Sequence, residues 1–350
     1  MENTRTSSCQ YIHQYFKHWQ KVPFPTDSTS YDPRIAWWLA QCSALAYANK
    51  ATTATELKRV GFERVLFFDS DGTQAFLAQH PGHGGGRFAI LAFRGTEQDS
   101  VDILTDINCA TRLFPNENLL ESISATQNDK LYAHSGFLTG LQHIWGSALP
   151  PGISELYPEA EWKGDQGVSN AICELAQDAS LYITGHSLGG ALATLAAYKA
   201  LIYSSQKAVT ALYTFGAPRV AKRSFVRAIQ VELNGRFYRI VNHLDVVPRL
   251  PPRLPVVLDF RHAGRPIYFH PKRQGHLGST PIWYDSAILL RTVLQSILCV
   301  LTLKRYTPET IQDHMIAGYI DNICQELGLD NSSCQADVTS SFPSQPLPSI

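Results

Sequence analysis

The stretch "SLYITGHSLGGALATLAAY", residues 180–198, predicts a strand that turns tightly into a helix. Apolar strand-type residues precede the segment Gly185-His186-Ser187-Leu188-Gly189, and alanines and leucines follow it. A turn this tight tolerates only small neighbours, so the two glycines leave the Ser187 hydroxyl raised from the backbone. A G-x-S-x-G sequence alone is a weak signal, because small residues recur by chance in loops. Its place between a strand and a helix makes Ser187 a candidate nucleophile.

The segments around this turn predict an α/β protein. From Leu131 onward, strand patterns alternate with helix patterns, which is typical of βα units on a parallel sheet. Upstream, "RVLFFDS-DG-TQAFLAQ" predicts an antiparallel hairpin closed by Asp71-Gly72, and "RFAILAFRG" a further strand. Asp32 and Pro33 are suited to begin an early amphipathic helix. We therefore expect a mostly parallel central sheet with an N-terminal antiparallel hairpin.

Length and composition favour one folded domain. A chain of 350 residues, 44% of them hydrophobic, can bury a full core, and we expect a single domain with an N-terminal helical extension over residues 1–327. Residues 328–350 are rich in Ser and Pro, which predicts a disordered tail. Thirty basic and thirty acidic residues balance, so total charge indicates neither nucleic acid nor an anionic membrane as a partner.

Targeting signals and metal motifs are absent from the sequence pattern. Polar residues interrupt every apolar run near the N-terminus, which favours a cytosolic protein, although secretion by an unrecognised signal stays open. The longest apolar stretch, residues 288–303, is shorter than the ~20 residues of a spanning helix and contains Arg291. Seven scattered cysteines without a C-x-x-C pair argue against a disulfide framework and a zinc site.

Seven segments in a fixed order carry a resemblance to a known family. They are "FRGTE", "DILTDI", "AHSGF", "TGHSLGG", "YTFGAPRV", "RIVNHLDVVPRLP" and "DHMIAGY", and they span residues 93–319. With them the chain resembles the fungal-type lipase family, lipase class 3, of the α/β-hydrolase fold. The resemblance implies that fold with a lid helix, and hydrolysis of carboxylic esters at a serine without cofactor or metal.

A serine nucleophile needs a base and a carboxylate that orients the base. In α/β-hydrolases the chain order is Ser, Asp or Glu, then His, so both partners should follow Ser187. Asp245 directly follows the strand pattern "RFYRIVNHL", at a strand end where such sheets place their sites, and it matches the acid in the family's "DxVPRLP" segment. Asp259 and Asp285 are rivals, each more simply explained as a solvated or capping carboxylate.

Spacing does not decide which histidine is the base. The candidates after Asp245 are His262, His270, His276 and His314. The resemblance of "DHMIAGY" to the family's terminal histidine segment selects His314, with His276 in the flexible-looking "RQGHLGS" as the second choice. His186 and His243 adjoin the proposed residues, and we expect them to orient loops.

Two segments could hold the oxyanion of an acyl-transfer reaction. Residues 83–86, "HGGG", precede the strand "RFAILAF" and are predicted to be a hairpin connection at its far end. Arg94-Gly95-Thr96 lies at the carboxyl end, towards which Ser187 also projects. By resemblance, Thr96 supplies one arm of the oxyanion hole and the backbone N–H of Leu188 the other.

The family's lid corresponds to "EQDSVDILTDINCATRLF". Drawn as a helix, the segment groups four apolar residues on one side: Val101, Ile103, Leu104 and Ile107. An ordinary surface helix has the same periodicity. Family lids often carry an aromatic residue where this chain has Ile103, so interfacial activation stays open.

Taken together, these features predict a cytosolic serine esterase of the triacylglycerol-lipase type, acting through an acyl-enzyme at Ser187. The expected partner is an acylglycerol or related ester, with transient binding to a lipid interface, and the oligomeric state is open. Phospholipase A1 or a soluble-ester esterase would use the same machinery. A non-catalytic lipase-like binding or signalling protein is the alternative of another class, against which the intact set Ser187, Asp245 and His314 weighs.

Overall fold

The computed structural model describes residues 15–82, 86–96, 110–114, 130–146, 167–203, 209–251, 259–270, 273–277, 287–288, 290 and 309–329. Its strands are β1 (Arg64–Ser70), β2 (Thr73–His80), β3 (Arg87–Phe93), β4 (Thr111–Leu113), β5 (Tyr132–His134), β6 (Ala179–His186), β7 (Val209–Phe215), β8 (Ala221–Lys222), β9 (Phe237–Asn242), β10 (Phe260–Arg261), β11 (Arg265–His270) and β12 (Arg273–Leu277). Its helices are α1 (Pro33–Leu45), α2 (Lys50–Arg59), α3 (Ser135–Trp145), α4 (Val168–Leu175), α5 (Leu188–Tyr203), α6 (Arg223–Leu233), α7 (Glu309–Gln312) and α8 (Ile316–Glu326). Trp19–Lys21 and Val247–Arg249 form single 3₁₀ turns.

One eight-stranded sheet, in the order β1-β2-β3-β6-β7-β9-β11-β12, organises the molecule. The strands from β3 to β11 run parallel, and β1, β2 and β12 pair antiparallel with their neighbours. The predicted hairpin is confirmed, because Ser70 pairs with Thr73 around Asp71 and Gly72, whose φ angles are 50° and 77°. Two left-handed residues match the twist of a two-residue hairpin.

Both faces of the central strands are buried, which explains their nearly continuous apolar sequences. In β3, residues 88, 90 and 92 enter one core cluster, and residues 89, 91 and 93 enter the other. Helices α1, α2 and α8 contribute to the first cluster, and α3, α4, α5 and α6 to the second. The sheet therefore lies between two helical layers.

Helix α1 departs from the amphipathic helix predicted by its spacing. Its start is as expected, because the Asp32 side chain accepts a hydrogen bond from the Arg34 N–H and Pro33 opens the helix. However, residues 35–45 are all buried, and the helix contacts both β6 and α8. Helix α8 follows it by about 270 residues of chain, so the second buried side depends on a remote partner that local periodicity does not reveal.

The predicted strand "KLYAHSGF" does not join the parallel sheet. It forms only the three-residue β5, which lies in a separate four-stranded sheet of order β10-β8-β5-β4 and pairs antiparallel with β4 and β8. The place beside β3 in the main sheet is taken by β6, where Phe93 pairs with Gly185. The prediction of a βα unit was therefore wrong for this segment, although the helix that follows it is present.

The N-terminal segment before α1 is held to the sheet by three tyrosines from neighbouring strands. The hydroxyl of Tyr238 donates to the carbonyl of residue 29 at 2.8 Å, and that of Tyr182 reaches the carbonyl of residue 28 at 3.3 Å. Tyr213 donates to the Ser30 carbonyl at 3.2 Å and accepts from the Asp32 N–H at 3.1 Å. These bonds fix the entry to α1.

The predicted tail and the long apolar stretch fall mostly outside the described residues. Gly328 and Leu329 follow α8. The Leu329 N–H donates to the Cys324 carbonyl at 2.9 Å and its side chain packs on the core, whereas residues 330–350 are outside the description. Of residues 288–303, only Ile288 and Leu290 are described. No helix within the described ranges has the length and hydropathy to span a membrane.

Candidate active site

Ser187 occupies a strained turn between β6 and α5. Its φ of 57° places a non-glycine residue in the left-handed region, and its N–H donates to the Phe215 carbonyl of β7 at 2.9 Å. Such strain persists only where the surrounding structure maintains it, and it is concentrated at functional sites. The turn points the hydroxyl away from the strand, at the carboxyl end of the sheet.

The structure brings together the three residues singled out as nucleophile, acid and base. Nε2 of His314 lies 2.9 Å from Oγ of Ser187, and Nδ1 of His314 lies 3.0 and 2.9 Å from the two carboxylate oxygens of Asp245. All three side chains are buried. This is the continuous line of hydrogen bonds in which a serine loses its proton to a histidine that a carboxylate orients.

Asp245 is supported by further donors that the sequence analysis did not assign. The Val247 N–H donates to Oδ1 at 2.9 Å, and the hydroxyl of Tyr319 donates to Oδ2. The Asn242 N–H in turn donates to the tyrosine oxygen at 3.1 Å. Burial raises the pKa of Tyr319 well above its usual range, and the charge and hydrogen bond of Asp245 add to this, so the phenol stays a donor. A fully buried carboxylate requires such partners.

Gly216 is a second residue that sequence reasoning missed. It follows β7 with a φ of 58°, and a Cβ there would lie 2.7 Å from Oδ2 of Asp245 and 3.0 Å from the His314 ring. Only glycine combines this backbone conformation with this close approach. The signal was present in "YTFGAPRV", but nothing near Gly216 in the chain revealed what it faces.

The rival acids and histidines occupy other places. His262 Nε2 binds the Pro248 carbonyl at 2.6 Å, and Asp259 forms an ion pair with Arg261 at 2.8 Å. His276 lies in β12, a paired strand at the sheet edge rather than the flexible loop predicted for "RQGHLGS". His270 ends β11, next to that edge. Asp285 is outside the described residues.

The two candidate oxyanion segments lie at opposite ends of β3. Gly86 directly precedes β3 and therefore lies about 20 Å from the end of that strand that pairs with Gly185, as the strand length requires. Gly86 is described there, whereas residues 83–85 are not. At the other end, a Cβ at Gly189 of α5 would collide with the Phe93 carbonyl at 2.3 Å, so the chain before Thr96 touches the start of α5.

Comparison with known proteins shows the family to which the chain belongs. A family model for Lipase (class 3) matches residues 90–254. A secreted mono- and diacylglycerol lipase of Malassezia restricta is 36% identical over 250 residues, which are 70% of this chain and 73% of the relative. The chain belongs to the class 3 lipase family. It is accordingly a serine carboxylic-ester hydrolase.

Other matches agree with the fold and include a phospholipase. The lipase from Rhizopus microsporus var. chinensis, 18% identical, matches with a TM-score of 0.51 over 78% of this chain and 89% of its own, which agrees with the α/β-hydrolase fold. A chloroplastic phospholipase A(1) of Arabidopsis thaliana is 31% identical over 172 residues, 48% of this chain. The present chain spans only about a third of that plant relative, 34% of its length.

Two expectations about the lipase receive no support from the described residues or the comparisons. The lid residues Val101, Ile103, Leu104 and Ile107 lie in residues 97–109, outside the described ranges. The cytosolic location is not supported either, because the relative from Malassezia restricta is secreted. Among the described residues of the lipase, no cluster of His, Cys, Asp and Glu is arranged to hold a metal ion.

The two histidines expected to orient loops make contacts that suit that role. His243, at φ 30°, places Nδ1 2.9 Å from Oδ2 of Asp313, which also accepts from the Leu244 N–H at 3.0 Å. This fastens the loop that precedes Asp245 to the residue before His314. His186 contacts the backbone of His314 directly, with Nε2 2.6 Å from its carbonyl oxygen.

Proposed function

We propose that this lipase hydrolyses acylglycerols, with mono- and diacylglycerols as its preferred substrates, through an acyl-enzyme at Ser187. The observation that carries the proposal is the unbroken line of hydrogen bonds from Ser187 Oγ through His314 to Asp245. The choice of substrate is supported by the relative from Malassezia restricta, a mono- and diacylglycerol lipase by name, of which this chain covers 73% of the length. Lipid-ester substrates imply transient contact with a lipid interface.

In the proposed reaction Ser187 Oγ attacks the ester carbonyl carbon while its proton passes to Nε2 of His314. Asp245 holds the ring with Nε2 facing the serine and balances the positive charge that forms on it. The tetrahedral intermediate then collapses, the C–O bond to glycerol breaks, and the leaving alkoxide takes the proton from His314. Water, activated by the same histidine, attacks the acyl-enzyme and releases the fatty acid.

The negative charge of each tetrahedral intermediate is assigned to Thr96 and Leu188. Leu188 is the first residue of α5, so its backbone N–H is one of the four that no carbonyl of the helix accepts, and the helix dipole favours an anion there. Thr96 directly follows Gly95, which packs in space against Tyr47 and the His186 carbonyl. The N–H and hydroxyl of Thr96 form the second arm of the proposed oxyanion hole.

A hydrolysis screen tests this function. Purified protein is assayed on monoacylglycerols, diacylglycerols, triacylglycerols, phosphatidylcholine and soluble p-nitrophenyl esters, with Ser187→Ala as the matched inactive variant. The proposal predicts the highest kcat/KM on partial glycerides and none in Ser187→Ala. A higher kcat/KM on phosphatidylcholine would assign a phospholipase A1. Inactivity on every ester, with no labelling by a fluorophosphonate probe, would favour a non-catalytic binding protein.

The domain organisation and the cellular location are also part of the proposal. The two core clusters share one sheet, which supports a single domain over residues 1–327 followed by a tail. Two locations are distinguished by experiment, the cytosol and, as for the secreted relative, the outside of the cell. Expression of the tagged chain, followed by comparison of medium with cell extract, distinguishes these locations.

A further inference from the structure

A series of close contacts connects the segment that carries Thr96 to the loop that carries His314. Gly95 packs against the hydroxyl of Tyr47, whose oxygen lies 2.9 Å from Nδ1 of His186. On the other side of the same ring, Nε2 of His186 lies 2.6 Å from the carbonyl oxygen of His314. We call this series, from Gly95 through Tyr47 and His186 to His314, the Tyr47–His186 relay.

The chemistry of these groups permits only one assignment of hydrogen-bond donors and acceptors along the relay. A carbonyl oxygen only accepts, so Nε2 of His186 carries a hydrogen. Burial lowers the pKa of His186 well below its usual range, and the neighbouring His314 ring lowers it further, so the ring is neutral and Nδ1 accepts. The Tyr47 hydroxyl must then donate to Nδ1 of His186.

The close approach of Tyr47 depends on the glycine in "FRGTE". A Cβ at residue 95 would lie 2.1 Å from the Tyr47 hydroxyl oxygen and 2.8 Å from the His186 carbonyl. Any other side chain would therefore push Tyr47 away from the backbone. This steric requirement is independent of the hydrogen bonds and indicates the same contact.

The neutral state of His186 matters for its neighbour. The ring centroids of His186 and His314 are 4.6 Å apart. In the reaction His314 becomes positively charged, and a second cation at this distance would oppose that step. A neutral ring instead offers one hydrogen bond to the His314 backbone and adds no charge.

We propose that Tyr47 and His186 are positioning residues, which fix the Thr96 segment relative to the His314 loop on either side of Ser187. This inference rests on the proposed function of that site. The relay connects four parts of the chain: the residues after α1, the segment after β3, the residue before Ser187 and the loop that carries His314. A misplacement of about 1 Å in such a site costs on the order of 10²-fold in rate.

The test compares Tyr47→Phe, His186→Phe and the double variant, which keep the rings and remove the hydrogen bonds. Hydrolysis of p-nitrophenyl butyrate is measured per active site, counted by fluorophosphonate labelling. Each single variant is expected to lower kcat by about tenfold or more with KM within about twofold, because positioning acts on the transition state. The double variant is expected to match the worse single variant, since both changes break one relay.

Tyr213→Phe is the control, because the Tyr213 hydroxyl is likewise hydrogen-bonded but away from the site, to the backbone at residues 30 and 32. It should lower the melting temperature without changing kcat. The positioning role would be wrong, and the proposed function would stand, if Tyr47→Phe and Tyr213→Phe had equal kcat. The same conclusion would follow if the losses multiplied in the double variant. A wild-type protein that neither reacts with the probe nor hydrolyses the ester would contradict the proposed function as well.

Discussion

Tyr319 donates a hydrogen bond to Oδ2 of Asp245, the same oxygen that lies 2.9 Å from Nδ1 of His314. The tyrosine belongs to α8, which begins two residues after His314, so one short stretch of chain supplies both the base and a support for its carboxylate. The contact fixes the carboxylate plane towards the imidazole. It also satisfies an oxygen that has no access to solvent.

Tyr319→Phe is therefore expected to lower both stability and turnover. A hydrogen bond to a charged group contributes about 1.5–3 kcal/mol, and its loss should reduce the free energy of unfolding by that order. The less constrained carboxylate should also lower kcat. Urea unfolding and hydrolysis of p-nitrophenyl butyrate measure the two effects. Tyr238→Phe, which loses one bond to the Thr29 carbonyl, is the control for stability alone. An unchanged kcat in Tyr319→Phe would contradict the supporting role.

His314→Ala should abolish most of the activity, whereas His276→Ala should not. If Ser187, His314 and Asp245 act as a unit, removal of the nucleophile or the base lowers kcat by a factor on the order of 10⁶. Asp245→Asn should cost roughly 10⁴ without unfolding, because the wrong tautomer would face the serine. Pre-steady-state and steady-state assays on a soluble ester give these values. Wild-type turnover in His314→Ala would show that another group is the base.

Thr96→Ala should lower kcat, whereas a rebuilt 83–86 segment should leave it unchanged. Loss of one oxyanion donor costs about 10² to 10³ in kcat, and Thr96→Ala should approach this with KM little changed. Thr96→Ser keeps the hydroxyl and should retain most of the rate. Replacement of residues 83–86 by Asn-Gly alters a connection at the far end of β3 and should leave kcat unchanged. The reverse pattern would assign the oxyanion hole to the glycine-rich segment.

The lid prediction concerns interfacial activation. Exposure of Val101, Ile103, Leu104 and Ile107 in water costs about 25 cal/mol per Å² of apolar surface, and an oil–water interface removes that cost. Activity on a short-chain triglyceride should rise sharply above its solubility limit. Ile103→Asp should blunt the rise and spare a soluble butyrate ester, whereas Thr105→Asp, on the other side of the predicted helix, should not. Simple saturation through the solubility limit would favour a soluble-ester esterase.

Lys199 makes the stability of the fold depend on pH. Its side chain is buried in α5, with Nζ 4.9 Å from the centre of the Trp145 ring, and burial lowers its pKa to about 7. The unfolded chain, with a lysine pKa of about 10.4, binds more protons between these values, so stability should rise from pH 7 towards pH 10. Urea unfolding at several pH values should show a flatter dependence in Lys199→Met than in the exposed-site control Lys58→Met. Equal slopes would contradict the assignment.

The sequence by itself determined the features that depend on a few adjacent residues. The turn at Ser187, the hairpin at Asp71-Gly72 and the start of α1 at Asp32 follow from backbone conformation and local hydrogen bonds, which neighbouring side chains decide. The mostly parallel sheet followed from the alternation of periodicities along the chain. The seven ordered segments were enough to indicate the family.

Only the tertiary structure decided which distant residues meet. Four histidines follow Asp245 with no local difference in chemistry, and only packing places His314 against both Asp245 and Ser187, which are 69 and 127 residues away in the chain. The burial of α1 on all sides required α8, and the contacts of Tyr47 required the strands between. Such contacts depend on how the whole core packs. The residues that a side chain meets across the sheet produce no periodic pattern in the sequence of its own segment.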